Sequence, residues 1–149
     1  MMMLLISLAF SLSLMPNNIE SYQSSADFVT EVSVLIVHTD NEEMIKATPV
    51  RQIRGVNSKS FRLWIIGKSN LVSGRYVVFY NLCDRIGYST MGDLSVLPVK
   101  DGRVSFNTNK SGWVTLAPKK IQRWMINNGL SQNEFDFQCL PGRSGHEGN

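Results

Sequence analysis

The chain has very little cysteine and very little histidine. Its 149 residues include only two of each, and the sequence contains no C-x-x-C pair. These counts exclude disulfide-dense mini-scaffolds, cysteine-rich zinc modules and histidine-rich metal sites. A hydrophobic fraction of 43% with 18% charged residues excludes a disordered chain, a collagen-like repeat and a coiled coil. The fold must therefore rest on apolar packing, with at most one covalent cross-link.

Motifs of the common enzyme classes are missing as well. The chain contains no G-x-S-x-G, H-E-x-x-H, P-loop or G-x-G-x-x-G segment. Its histidines are His38, at the end of a strand pattern, and His146, in a polar tail. Glu42 and Glu43 are adjacent, and such a pair in a turn is most often simply solvated. We therefore expect a protein that is not an enzyme and that has no catalytic residue, no metal site and no cofactor.

One long apolar run is present, at the N-terminus. The fifteen residues from Met1 to Met15 carry no charge, and Pro16 follows them. This run matches the h-region of a signal peptide and is shorter than the roughly 20 residues that a membrane-spanning helix needs. We expect a signal peptide over residues 1–26. Its start lacks the usual Lys or Arg, so a misassigned start codon or a buried N-terminal strand is the alternative. Small residues suited to cleavage follow at Ser21, Ser24 and Ala26.

Export decides how the two cysteines are interpreted. In an oxidising compartment an even pair is most often a disulfide. Cys83 and Cys139 lie 56 positions apart, and in the chain-entropy model a loop of this length stabilises the fold by roughly 4 kcal/mol. The alternative is a nucleophilic cysteine, which would need a nearby base. We expect a periplasmic or secreted protein with this disulfide, a folded domain over residues 27–140 and a disordered tail over residues 141–149.

Charge is unevenly distributed along the chain. No basic residue precedes Lys46, and no acidic residue occurs between Met44 and Cys83. The basic segment 46–75 predicts a surface for an anionic partner, such as an envelope polymer or a glycan, with nucleic acid less favoured for an exported protein. The alternative is a solvated face whose cations pair with the acidic first strand. The residues predicted to bind are Arg51, Arg54, Lys59, Arg62, Trp64, Lys68 and Arg75.

Hydrophobic alternation predicts mostly strands, followed by one helix. Pro118 can begin the helix and Gly129 can end it, with Ile121, Trp124 and Met125 on one face. We expect an α+β fold in which this C-terminal amphipathic helix packs on one face of an antiparallel β-sheet of about six strands. The predicted strands are residues 28–38, 44–53, 61–66 and 75–82, and a less regular stretch lies within 87–99. A tight hairpin turn is predicted at Asp101-Gly102, followed by a short strand at 113–116 and a closing strand at 135–139.

Strand alternation also assigns the two faces of the segment around Trp64. Arg62, Trp64, Ile66 and Lys68 share one face and Phe61, Leu63 and Ile65 the other. The apolar face is expected to meet the helix, and the mixed face is expected to contact the partner.

Several short elements occur in the order found in a known family. Over residues 28–140 the chain resembles the surface-adhesin protein E-like domain of Gram-negative secreted proteins. The resemblance implies an antiparallel sheet with a helix on one face, the Cys83–Cys139 disulfide, a protein partner such as a host extracellular-matrix or serum protein, and a homodimer. No lipidation cysteine precedes Cys83, which departs from the lipoprotein member of that family. The matching elements are His38–Asp40, Phe61–Ile65, Tyr80–Cys83, Lys100–Val104, Trp113 with Pro118, and Cys139.

Two functions follow from the sequence. The first is a non-catalytic interaction module of adhesin type that binds a protein partner. The alternative is a binder of anionic polymer through residues 46–75. Salt dependence separates them, because binding of a polyanion by Lys and Arg weakens steeply with ionic strength and an apolar-centred interface does not.

Overall fold

The structure is a computed structural model that describes residues 17–66 and 70–139. The apolar run before Asn17, the predicted binding residue Lys68 and the predicted tail lie outside these residues. None of the helices in the described ranges is both long enough and apolar enough to cross a membrane. The elements are the helices α1 (Ile19–Ser24) and α2 (Pro118–Asn127), a 3-10 helix (Gly92–Ser95), and the strands β1 (Phe28–His38), β2 (Glu43–Arg54), β3 (Phe61–Trp64), β4 (Gly74–Cys83), β5 (Ile86–Ser89), β6 (Val96–Pro98), β7 (Val104–Thr108) and β8 (Gly112–Leu116).

The main sheet closes on itself. The sheet has six strands in the order β1-β2-β3-β5-β4-β6. β4 also pairs back onto β1, so the first five strands form a closed barrel and β6 lies beside β4. β3 and β5 run parallel, whereas the other neighbours in the ring are antiparallel. The expected sheet of about six strands, mostly antiparallel, is therefore present, and it closes into a barrel, which the sequence did not indicate. Closure follows from the length of β1, which pairs along both edges, and from two register shifts at which β2 has one extra residue and bends.

One apolar core fills the barrel. Val32 of β1, Val78 of β4 and Leu63 of β3 are almost completely buried inside it. The ring of Tyr80 stacks on that of Phe61, with centroids 4.6 Å apart. The apolar face of β3 therefore points into the barrel, and the prediction that it meets the helix is wrong.

A second core lies outside the barrel, against β4. Val77 and Phe79 alternate with the residues that point inward and pack under α1, α2 and the β7–β8 hairpin. Helix α2 begins at Pro118, as predicted, and contributes Ile121 and Met125 to this core. It is attached to β2 by a hydrogen bond of 2.9 Å from Gln122 Nε2 to a backbone carbonyl. The amphipathic helix thus packs on the barrel exterior.

Helix α1 belongs to the folded domain. Asn18 caps it by accepting a hydrogen bond of 2.9 Å from the backbone N–H of Ser21. Ile19 and Tyr22 are buried in the second core, and the ring of Tyr22 lies 5.7 Å from that of Phe79. The packed structure therefore begins before the predicted domain start at residue 27, while the end of the leader stays a prediction.

The predicted disulfide is present between Cys83 and Cys139, with their Cα atoms 5.5 Å apart. The segment before Cys139 is irregular, so the predicted closing strand is wrong. Backbone N–H groups of Glu134 and Phe135 donate to the Ser24 carbonyl at 2.7 and 2.9 Å. The disulfide and these local hydrogen bonds, instead of strand pairing, fix the segment.

Candidate functional site

The outer face of β3 carries a cation and an indole ring. The side chains of Phe61 and Leu63 are buried, whereas Arg62 is partly exposed and Trp64 is 47% exposed. The guanidinium carbon of Arg62 lies 5.8 Å from the centre of the Trp64 ring, which is within cation–π range. Alternation along the strand therefore produces the mixed face that the sequence predicts.

Three cations from three elements surround one open cleft on this face. Lys46 of β2 is the register partner of Arg62 on β3. The backbone N–H of Arg62 donates to the carbonyl of Arg85, in the β4–β5 turn, at 3.0 Å. The cleft has a volume of about 490 Å³, and Met44 and Ile86 contribute apolar surface to it. Strand pairing thus brings together residues that are 39 positions apart in the sequence.

Little negative charge opposes these cations. Within the described residues, only Arg62 of the three makes an ion pair, with Glu42 Oε2 at 3.5 Å. This pair is exposed, and exposed pairs of this kind contribute about 0–1 kcal/mol. Lys46 and Arg85 are exposed and make no ion pair in the described part of the chain. The cleft therefore has a net positive charge.

Two predicted binding residues instead flank a buried carboxylate. Glu31 of β1 has a side chain that is only 6% exposed. Arg51 Nε lies 3.3 Å from one of its oxygens and Arg75 Nη1 lies 3.6 Å from the other. This arrangement is the pairing with the acidic first strand that the sequence offered as the alternative. Both arginines are engaged on the barrel wall, although their side chains stay about half exposed.

The structure uses Arg54 within the fold. Its guanidinium donates to the backbone carbonyls of Gln23, Ala26 and Leu130 at 2.8, 3.1 and 2.7 Å, and to Gln23 Oε1 at 2.7 Å. Burial lowers the pKa of Arg54, and the nearby Asp27 carboxylate partly opposes this shift. Its donors connect β2 to α1 and to the segment after α2, so Arg54 is not a free cation for a ligand.

Two residues at the cleft were not in the predicted binding set. Lys46 begins the basic segment 46–75 but is not among the residues predicted to bind. Arg85 follows Asp84, whose φ of 59° places it in a tight turn. Only the position of that turn could have indicated Arg85, because its neighbours on β2 and β3 are distant in sequence. Lys59 is exposed in the β2–β3 loop and does not line the cleft.

No described group of three or more His, Cys, Asp or Glu side chains is arranged to hold a metal ion. A scan of protein families, a search of curated proteins and a search of solved structures each found no match for this chain.

Proposed function

We propose that this chain is an exported, non-catalytic module that binds an anionic polymer, such as an acidic envelope polysaccharide, on the outer face of β2, β3 and β5. The observation that carries the proposal is the convergence of Lys46, Arg62 and Arg85 on one open cleft. Because these cations are placed by strand pairing and a tight turn, little backbone freedom is lost when a ligand binds.

The position of the cleft supports a polymer ligand. Small five-stranded barrels of the OB type bind oligosaccharides and oligonucleotides on the face of their second and third strands and on the adjoining loops. Here the cleft lies between β2 and β3 and next to the β4–β5 turn. This likeness is one of architecture, and the charges of this chain carry the chemistry. An open cleft with several cations favours a chain that passes across it over a small enclosed ligand.

A protein partner is the second candidate, as the adhesin E-like resemblance implies. The exposed side chains of Trp64 and Ile66, at 47% and 70%, favour it. Together with Arg62 they place an aromatic ring, an aliphatic group and a cation on one surface, which is a composition common at interface centres. A host matrix or serum protein would use the same face as the polymer. The two candidates differ in salt dependence, because binding of a polyanion by cations weakens steeply with ionic strength and an apolar-centred interface does not.

The test is a charge reversal at the cleft with a matched reversal elsewhere. The double variant Lys46→Glu with Arg85→Glu changes the net charge by the same amount as Lys119→Glu with Lys120→Glu on α2. All four residues are exposed and make no ion pair in the described part of the chain. Both variants should therefore fold, within about 0.5 kcal/mol of the parent.

The probe is fluorescently labelled heparin, with neutral dextran as the control ligand. We expect the cleft variant to bind heparin at least about tenfold more weakly and the α2 variant within about twofold, with a parent affinity that falls steeply between low and moderate salt. Equal weakening by both variants would show that only overall charge matters and would contradict the proposal. Binding of a matrix protein that is insensitive to salt and needs Trp64 would favour the second candidate.

A further inference from the structure

The outer face of the β7–β8 hairpin carries one exposed aromatic ring among polar side chains. Register places Asn107 opposite Trp113 and Ser105 opposite Thr115, and the residues that alternate with them are buried or pack on the second core. Trp113 is 69% exposed, the most of the three tryptophans. Its ring stacks on no other ring within the described residues. A large flat apolar surface is therefore open to solvent, with polar groups beside it.

The polar groups beside Trp113 can form hydrogen bonds with a ligand. The hydroxyls of Ser105 and Thr115 lie 2.8 Å apart, and because one of them donates to the other, one hydroxyl proton of the pair has no acceptor among the described residues. Asn107 Oδ1 accepts from the backbone N–H of Thr108 at 3.1 Å, whereas its Nδ2 makes no hydrogen bond in this part of the chain. Strand pairing fixes these groups, so a ligand meets them already oriented.

Two cations lie directly opposite each other at one end of the same face. Lys100 and Arg103 flank the Asp101-Gly102 turn, and the backbone N–H of each donates to the carbonyl of the other, at 2.8 and 3.0 Å. Like charges in such opposed positions repel each other. Neither side chain makes an ion pair within the described residues.

These two cations line an open cleft together with the hydroxyls of Ser105 and Thr115. The cleft has a volume of about 580 Å³. Asp101 also lines it and offsets one of the two positive charges. An anionic group placed between Lys100 and Arg103 would relieve their mutual repulsion, so the cleft is electrostatically complementary to an anion.

We propose that the hairpin face binds an acidic oligosaccharide, with one sugar ring stacked on Trp113 and the carboxylate of a linked uronic acid between Lys100 and Arg103. A pyranose ring presents C–H groups of slight positive charge on its faces, and the face of an indole ring is negative. Sugar hydroxyls both donate and accept hydrogen bonds, as the Ser105–Thr115 pair does. Trp113 and Arg103 lie about four residues apart along the hairpin, a span of about 13 Å that fits a short run of linked sugar rings.

The composition of this face favours a sugar over a protein partner. Among the described residues of the face, Trp113 is the one apolar side chain, whereas a protein interface has a cluster of buried apolar anchors at its centre. The site lies outside the five-stranded barrel and shares no lining residue with the Lys46–Arg85 cleft. It therefore does not depend on the proposed function. A few sugar rings contact little surface, so we expect a dissociation constant on the order of 1 mM.

The test is a titration of the ¹⁵N-labelled full chain with hexagalacturonate, followed by two-dimensional NMR. Maltohexaose, a neutral chain of the same length, is the control ligand. We expect the amides of residues 100–115 and the indole N–H of Trp113 to shift, with binding that weakens as salt rises. Trp113→Ala should weaken binding at least about tenfold and Arg103→Gln at least about threefold at low salt.

Matched variants elsewhere on the surface control for lost aromatic area and lost charge. Trp64→Ala and Lys119→Gln remove an exposed ring and an exposed cation outside the hairpin, and each should bind within about twofold of the parent. Lys46→Glu with Arg85→Glu should do the same, so failure of the proposed function does not decide this test. Matching circular dichroism melts show that all variants are folded.

Four results would overturn the proposal. The first is the absence of shifts in residues 100–115 up to about 20 mM ligand, well above the expected dissociation constant. The second is full binding by Trp113→Ala, and the third is equal weakening by Trp64→Ala, which would place the ligand on β3. The fourth is equal binding of maltohexaose, which would show that the cations do not select an acidic sugar.

Discussion

Replacing Arg54 by Ala should destabilise the protein instead of weakening a ligand contact. The structure gives this guanidinium four hydrogen bonds, to three backbone carbonyls and to Gln23 Oε1. Hydrogen bonds to a charged group contribute about 1.5–3 kcal/mol each, and bonds from one side chain are not additive. Water can reach some of the carbonyls once the side chain is gone. We therefore expect the free energy of unfolding to fall by about 3–4 kcal/mol, which is a large part of the stability of a domain this size.

The assay is urea unfolding followed by tryptophan fluorescence. The control is Lys119→Ala, which removes an exposed cation that makes no ion pair in the described part of the chain and should change the free energy of unfolding by about 0.5 kcal/mol or less. Arg54→Lys keeps the charge but loses the planar fork, so it should recover only part of the loss. If Arg54→Ala changed the free energy of unfolding by less than about 0.5 kcal/mol and weakened heparin binding, the structural role would be refuted and the binding role predicted from the sequence would stand.

Two further predictions concern Tyr80 and helix α1. Burial raises the pKa of Tyr80 above its ordinary value of 10.0, with hydrogen bonds to Thr30 and Asn57 partly offsetting the shift. Its contribution to stability is complete below pH 10 and is lost as the pH rises toward the folded-state pKa, so Tyr80→Phe should flatten the loss of stability seen in unfolding curves above pH 10. A chain that starts at residue 27 lacks Ile19 and Tyr22 from the second core and should be less stable than one that starts at residue 17 by at least about 4 kcal/mol. Equal melting temperatures for the two chains would contradict the packing of α1.

Local features of the fold were determined by the sequence. Alternation located β1, β3 and β4, because the period of two along a strand does not depend on distant residues. Asp101 and Gly102 both have positive φ, as the predicted tight turn requires. Helix α2 begins at Pro118 as predicted and ends at Asn127, two residues before Gly129. The disulfide was also predictable, because a chain with two cysteines allows only one intramolecular pairing.

Closure of the barrel was decided by tertiary structure. Whether β1 pairs along one edge or along both depends on the bend of β2 and on whether β4 lies beside β1. Neither feature leaves a periodic signal in the sequence. Helix α1 was missed for a related reason. Its six residues lie within residues 1–26, which the sequence assigns to a signal peptide, and only the contacts with Phe79 and the rest of the second core make Ile19 and Tyr22 core residues.

The role of each cation was decided in the same way. The sequence shows that residues 46–75 are basic, but a charge is free or engaged according to the partner that the fold brings to it. Arg54 donates a hydrogen bond to the Gln23 carbonyl of α1, and Arg51 forms an ion pair with Glu31. Lys46 and Arg85, by contrast, line the same cleft. Such contacts join positions that are far apart in the chain, so only the folded structure determines which of these cations can face a ligand.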